Sequence, residues 1–144
     1  EPPTALDVTG QAQILNILKS LRKKRKLSVL FISHDFGVIS QLCDRVIVMY
    51  AGSIVEEGPV KNIMQQAAHP YTSELIKCVP QLGNKEHALH SIPGNPPSLN
   101  QLPEGCAFAN RCQYKQEQCL KGSVPVSSKD NRSYKCFYPV GGTA

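Results

Sequence analysis

The chain has 144 residues, of which 41% are hydrophobic and 19% are charged, and its formal net charge is +5. These values fit a globular protein with its own core, and no apolar window is long enough to predict a transmembrane helix. The sequence shows no signal peptide pattern. It opens on EPPTALD, without a methionine, where a strand–loop–helix unit should already be under way. We therefore expect a fragment of a longer protein.

Apolar residues recur at spacings of three and four between residues 7 and 25, which predicts an amphipathic helix. The uninterrupted apolar run at residues 29–32 predicts a buried strand of a parallel sheet, over residues 28–33. A short helix is expected at residues 35–42, with Asp35 as its N-cap. This order predicts an α/β fold that forms part of a doubly wound sheet.

The next segment predicts a β-hairpin, with strands at residues 46–50 and 53–56 around an Ala51-Gly52 turn. Short helices are expected at residues 60–66 and near residues 71–78. Four of the 11 prolines fall between Pro93 and Pro103, which predicts an extended segment. A small, irregular, cysteine-bearing module follows. We place the boundary between two domains, residues 1–66 and 67–144, before the second of these helices.

Polar residues are expected at one edge of the predicted sheet. Ser33, His34 and Asp35 follow the apolar strand, and Glu1 precedes a tight loop into the first helix. Because parallel strands point the same way, Glu1 and His34 can face one ligand at their carboxyl ends. The alternative is a capped strand end at which His34 is merely solvated.

Four features occur in a fixed order: EPPTALD, an amphipathic helix, LFISHD and CDRVIVMYAGSIVEEG. Together they resemble the C-terminal half of an ABC-transporter ATPase core, which is a P-loop NTPase (RecA-like) fold. The resemblance implies that Glu1 polarises the water that attacks ATP, bound with Mg²⁺, and that His34 contacts the γ-phosphate. It also implies that a D-loop contacts a partner ATPase subunit through Thr4, Ala5, Leu6 and Asp7. Pro3 and Gly10 depart from the family's usual pattern.

Two further motifs resemble the oligopeptide and dipeptide importer branch: HPYT at residues 69–72 and IPGNPPSLNQLPEGCAFANRC at residues 92–112. Residues 67–144 would then be that branch's C-terminal domain. The implied function is ATP-driven peptide uptake at the cytoplasmic face of the bacterial inner membrane. The implied partners are a related ATPase subunit, two membrane-spanning permease subunits and, indirectly, an external solute-binding protein. By residue type alone, His69 would be a solvated loop histidine.

Cys106, Cys112, Cys119 and Cys136 are separated by five, six and 16 residues. No CxxC pair is present, and nothing in the sequence is secretory, so four thiolates on one metal centre is the interpretation we favour. Structural zinc, and cysteines that are unligated or disulfide-bonded, stay as alternatives. The family resemblance implies a [4Fe–4S] cluster, which four cysteine thiolates normally hold.

A basic run at residues 22–26 suggests an alternative function, in which a free-standing iron–sulfur or zinc module binds nucleic acid. The run is also what a helix C-terminus favours, because cations there complement the helix dipole. No aromatic residues are interleaved with it, so we expect no nucleic-acid partner.

The 144 residues contain no GxxxxGK[ST] phosphate loop, which supplies most of the N–H donors to a bound triphosphate. We therefore expect this chain alone to be inactive and not to bind ATP. The measurement is a titration of a fluorescent ATP analogue into the 144-residue chain, and micromolar binding would contradict the prediction.

Overall fold

The computed structural model describes residues 8–79, 90–98 and 100–141, and for Val8, Thr9 and Gln11 the backbone alone. The chain divides into two compact units between Cys43 and Asp44. The first unit contains helices α1 (Val8–Arg25) and α2 (Phe36–Leu42). The second contains strands β1 (Arg45–Tyr50) and β2 (Ser53–Pro59), helices α3 (Val60–Gln65) and α4 (Pro70–Lys77), and strands β3 (Val126–Lys129) and β4 (Arg132–Lys135). In the described ranges, no helix is long and apolar enough to cross a membrane.

Both helices of the first unit form where the sequence predicted them. Helix α1 ends because Lys26 adopts a φ of 52°, and the Leu27 amide donates a hydrogen bond to the Arg22 carbonyl at 3.2 Å. This pattern is the Schellman motif. The Asp35 carboxylate caps α2 by accepting from Gly37 N at 2.7 Å and from Val38 N at 3.3 Å. Leu15, Val38 and Leu42 form a buried hydrophobic cluster in this unit, and Phe36 and Ile39 of α2 are also buried.

The prediction of a buried parallel strand at residues 28–33 is wrong for this structure. These residues form neither helix nor strand, and Leu30 and Ile32 are 87% and 72% exposed. Phe31 packs partly against the core of the first unit. A strand depends on ladder hydrogen bonds to a neighbour, and no strand within the described ranges pairs with this segment. An apolar run in the sequence therefore predicts burial correctly only where the described structure supplies a segment for it to pack against.

The described sheet is antiparallel throughout, with strand order β1-β2-β4-β3. The predicted hairpin of β1 and β2 is confirmed, and its turn residues Ala51 and Gly52 have φ values of 46° and 78°. Asp130 and Asn131, with φ values of 54° and 58°, connect β3 to β4 in the same way. Two positive φ values in a two-residue loop are typical of the type I′ turn, which matches strand twist.

The sheet carries residues from both sides of the predicted boundary at residues 66 and 67, because β2 pairs with β4. The second unit is thus a small mixed α/β structure with an antiparallel sheet, instead of a continuation of a parallel one. Its buried face includes alternate residues of β1, namely Val46, Val48 and Tyr50. The assignment of residues 1–66 and 67–144 to separate domains stays a prediction.

Arg111 fixes the proline-rich segment to the rest of the second unit. Its Nε donates to the Pro93 carbonyl at 2.9 Å, and its Nη2 donates to the Ile92 carbonyl at 2.8 Å. Nη1 reaches the Tyr50 hydroxyl at 3.3 Å, and the guanidinium lies 6.0 Å from the ring centre of Phe108. A planar guanidinium supplies these divergent donors together, which a lysine cannot do.

Glu56 on β2 is fully buried and organises the chain between α3 and α4. Its Oε1 accepts a hydrogen bond from Ala68 N at 2.8 Å, and its Oε2 accepts from His69 N at 2.9 Å. Arg132 on β4 supplies the compensating positive charge, with Nη1 at 4.0 Å from Oε1. The Ala68 carbonyl in turn accepts from Val140 N at 2.8 Å. One carboxylate therefore fixes the backbone at which α4 begins.

We expect Glu56→Gln to lower the free energy of unfolding by about 2 kcal/mol, because one of the two amides would then face an NH₂ donor inside the protein. Glu57→Gln is the matched control. Its Oε1 accepts from the Ser133 hydroxyl at 3.1 Å, and an amide oxygen can replace that acceptor. Urea unfolding of both variants measures the difference, and equal stability would contradict the role given to Glu56.

Candidate metal centre

All four cysteines of the C-terminal module line one small cavity, hereafter the cysteine cavity. Two short 3₁₀ helices, Ala109–Arg111 and Glu117–Leu120, form in the cysteine-bearing stretch, and Cys119 lies in the second of them. Cys136 directly follows β4. The cavity is also lined by His69, Pro70, Phe108, Ala109, Tyr114, Val124, Phe137 and Tyr138. Residues that are far apart in the sequence therefore line one cavity, and thiol groups are its main polar side-chain groups.

Backbone hydrogen bonds hold the cysteine segments together. The Cys106 amide donates to the Cys119 carbonyl at 2.8 Å, and the Ala109 amide donates to the Cys106 carbonyl at 2.9 Å. Gly105 permits this approach, because a Cβ at that position would lie 2.3 Å from the Cys119 carbonyl oxygen. Any side chain at residue 105 would separate the two segments. The glycine is thus part of how the cavity is built.

Burial favours the protonated form of three of the cavity thiols. It raises the pKa of the Cys136 thiol to about 11, and the neighbouring cysteines add to the effect. Burial also raises the pKa values of Cys106 and Cys112. The four cysteines of the cavity are thiols that form no disulfide. A bound cation would displace these protons, because the thiolate is the form that ligates metals.

The cavity has a volume of about 10 Å³, which is room for about one water-sized sphere. Among the described residues, no three His, Cys, Asp or Glu side chains are placed to hold a single metal ion. The four thiols share a cavity but do not converge on one atom.

His69 is a buried residue of this cavity, so the expectation of a solvated loop histidine is wrong. Its exposed fraction is 1%, and its Nδ1 accepts a hydrogen bond from Tyr71 N at 3.1 Å, which caps α4. Burial lowers the pKa of His69 to about 4, so the ring is neutral at pH 7. Its Nε2 is buried and has no hydrogen-bond partner among the described residues.

The predicted ATP-site residues are only partly covered by the structure. Glu1 and the D-loop residues Thr4, Ala5, Leu6 and Asp7 lie outside the described residues, as does Pro3. His34 is exposed directly before the N-cap of α2. The predicted proximity of Glu1 and His34 therefore stays a prediction.

Sequence reasoning missed Glu56, Gly105 and Arg111, although each helps to build or position the site. Gly105 and Arg111 lie inside the motif GCAFANRC, so a signal was present, but the motif does not say what either residue contacts. Glu56 ends the predicted second strand as one of two adjacent glutamates. The sequence does not indicate that one points inward to backbone amides.

Residues 55–119 match a family model described as "Oligopeptide/dipeptide transporter, C-terminal region". The chain is 45% identical over 140 residues to a probable D,D-dipeptide transport ATP-binding protein of Escherichia coli, covering 96% of this chain and 43% of that protein. It is 44% identical over 136 residues to a putative peptide import ATP-binding protein of Brucella melitensis, covering 94% and 41%. A similar protein of Brucella ovis is 45% identical over 144 residues, covering 95% and 43%.

The chain thus spans less than half the length of these curated relatives. The family match includes Glu56, His69 and three of the four cysteines of the cavity. The HPYT motif and the similarity over nearly the whole chain agree with one another. The chain is thus similar to the C-terminal region of the peptide import ABC transporter ATP-binding protein family.

Proposed function

We propose that this chain is the C-terminal part of an ATP-binding subunit that couples ATP hydrolysis to the import of oligopeptides or dipeptides. The observation that carries the proposal is the similarity to peptide import ATP-binding proteins over 94–96% of the chain. The subunit pairs with a related ATPase subunit and docks on two permease subunits, at the cytoplasmic face of the membrane. An external solute-binding protein delivers the peptide to the permease.

In this proposal Glu1 orients and polarises the attacking water, and His34 contacts the γ-phosphate. Phosphoryl transfer needs positioning and charge stabilisation more than covalent chemistry, and a carboxylate and an imidazole supply part of both. The exposure of His34 supports the role, because a group that contacts nucleotide must be accessible. Asp35 fixes the backbone that follows His34 through its cap on α2. The D-loop, residues 4–7, lies against the partner ATPase subunit, and closure of the two subunits completes the site.

We expect Glu1→Gln, in the full-length subunit assembled with its partners, to lower ATP hydrolysis at least about 100-fold, because the amide cannot act as a base. ATP binding should persist. Glu117→Gln is the control, because that carboxylate is 84% exposed and pairs only with exposed Lys121 in the described structure. Full hydrolysis by the Glu1→Gln variant would contradict the role of Glu1.

We further propose that the four cysteines of the cavity hold a [4Fe–4S] cluster, which supplies a one-electron redox centre when bound. The donor set fits, since four free thiols line one cavity. Zinc and iron–sulfur clusters both take thiolate ligands, and the family resemblance favours the cluster.

We expect each of Cys106→Ser, Cys112→Ser, Cys119→Ser and Cys136→Ser to reduce bound iron to less than about a tenth of the native content, because hydroxyl oxygen is a poor ligand for this cluster. Cys43→Ser and Cys78→Ser are matched controls outside the cavity and should retain the iron. Iron analysis and the visible absorbance of anaerobically purified protein make the measurement. Zinc without iron, or colourless native protein, would overturn the cluster.

A further inference from the structure

The hydrogen bonds of His69 determine which ring nitrogen carries the proton. Nδ1 accepts from the Tyr71 amide at 3.1 Å. A backbone N–H can only donate, so Nδ1 must be the unprotonated nitrogen of a neutral imidazole. The proton then lies on Nε2, which is a donor. The cap of α4 therefore selects the tautomer of this histidine.

The Nε2 donor is buried without a partner among the described residues. A buried donor left unsatisfied is costly, and such groups in native proteins usually meet a partner that the protein chain does not supply. The imidazole lines the cysteine cavity, where the remaining lining is largely aromatic and aliphatic apart from the four thiols. The cavity lining contains four cysteine sulfurs and two tyrosine side chains, and none of them accepts a hydrogen bond from Nε2 in the described structure. A group bound by the cysteines would bring further sulfur acceptors into the cavity.

The ring cannot easily turn away from the cavity. The His69 amide donates to Glu56 Oε2 at 2.9 Å, and Pro70 follows directly with a fixed φ. On one side the ring packs against Phe108, with ring centres 5.9 Å apart. The backbone of His69 and one face of its ring are thus held by contacts with Glu56, Pro70 and Phe108.

We propose that His69 is a positioning residue of the four-cysteine centre, donating a hydrogen bond from Nε2 to a sulfur atom of the group bound in the cavity. The inference rests on the proposed metal centre and adds a function for the first residue of HPYT. A hydrogen bond to sulfur stabilises the more negative, reduced form, so it raises the reduction potential. It also orients the sulfur before the metal group is bound.

Two substitutions of His69 distinguish the helix-capping role of Nδ1 from the hydrogen-bond donor role of Nε2. Asn at residue 69 can accept from the Tyr71 amide, as N-cap residues do, but its side chain is too short to place a donor at the position of Nε2. Gln is longer and can place its amide N–H there. Thr72→Val is the matched control, because Thr72 is also fully buried with an unpartnered hydroxyl in the described structure but does not line the cavity.

The experiment is a redox titration, followed by electron paramagnetic resonance, of the anaerobically purified full-length protein and its three variants. We expect His69→Asn to lower the reduction potential by up to about 59 mV, which corresponds to a tenfold change in the one-electron equilibrium constant. His69→Gln should recover much of the shift, and Thr72→Val should show none. A merely structural role would change stability without this pattern.

A His69→Asn variant that binds iron with the native potential would overturn the inference and leave the metal centre standing. Native protein without iron would overturn the centre itself and this inference with it. If the variants do not load iron, ¹⁵N-histidine labelling of the native protein decides. Pulsed resonance of the reduced centre should show coupling to one histidine nitrogen and an exchangeable proton, and the absence of both would overturn the inference.

Discussion

The second unit depends on one buried carboxylate. Glu56 carries a negative charge into the interior, where it must be compensated, and two consecutive amides together with Arg132 do so. Because those amides belong to Ala68 and His69, the same interaction sets where α4 begins and how the imidazole is presented. Strand β2, helix α4 and strand β4 are thereby connected at one point. The chemistry proposed for the cysteine cavity starts from this fixed geometry.

The cysteine cavity combines two opposing requirements. Burial raises the pKa values of the Cys106 and Cys136 thiols, which disfavours their charged forms. A metal group reverses the preference, because its positive charge compensates the thiolates and replaces their protons. Gly105 supplies close backbone approach, Arg111 fixes the preceding segment, and His69 offers a donor. The site is therefore better described by the residues that build it than by the cysteines alone.

Local patterns in the sequence predicted local structure well. The Ala51-Gly52 hairpin, the Asp35 cap and the helix that begins within HPYT all follow from turn chemistry and capping, which act over a few residues. Burial was predicted less well. Residues 29–32 are apolar but lack a pairing strand within the described ranges, whereas His69 is polar but fully enclosed. Both depend on contacts distant in sequence, and a single sequence does not show which residues supply them.

The pairing of β2 with β4 has a consequence for the order of assembly. It joins Glu56 to Tyr134, and Cys136 takes its place only once β4 has been added beside β2. During synthesis the hairpin and the first three cysteines emerge from the ribosome well before the fourth. The long chain between them must close on itself first, at a cost in entropy. Metal insertion would then follow the addition of β4, and the nascent chain would carry reactive sulfur until Cys136 has emerged.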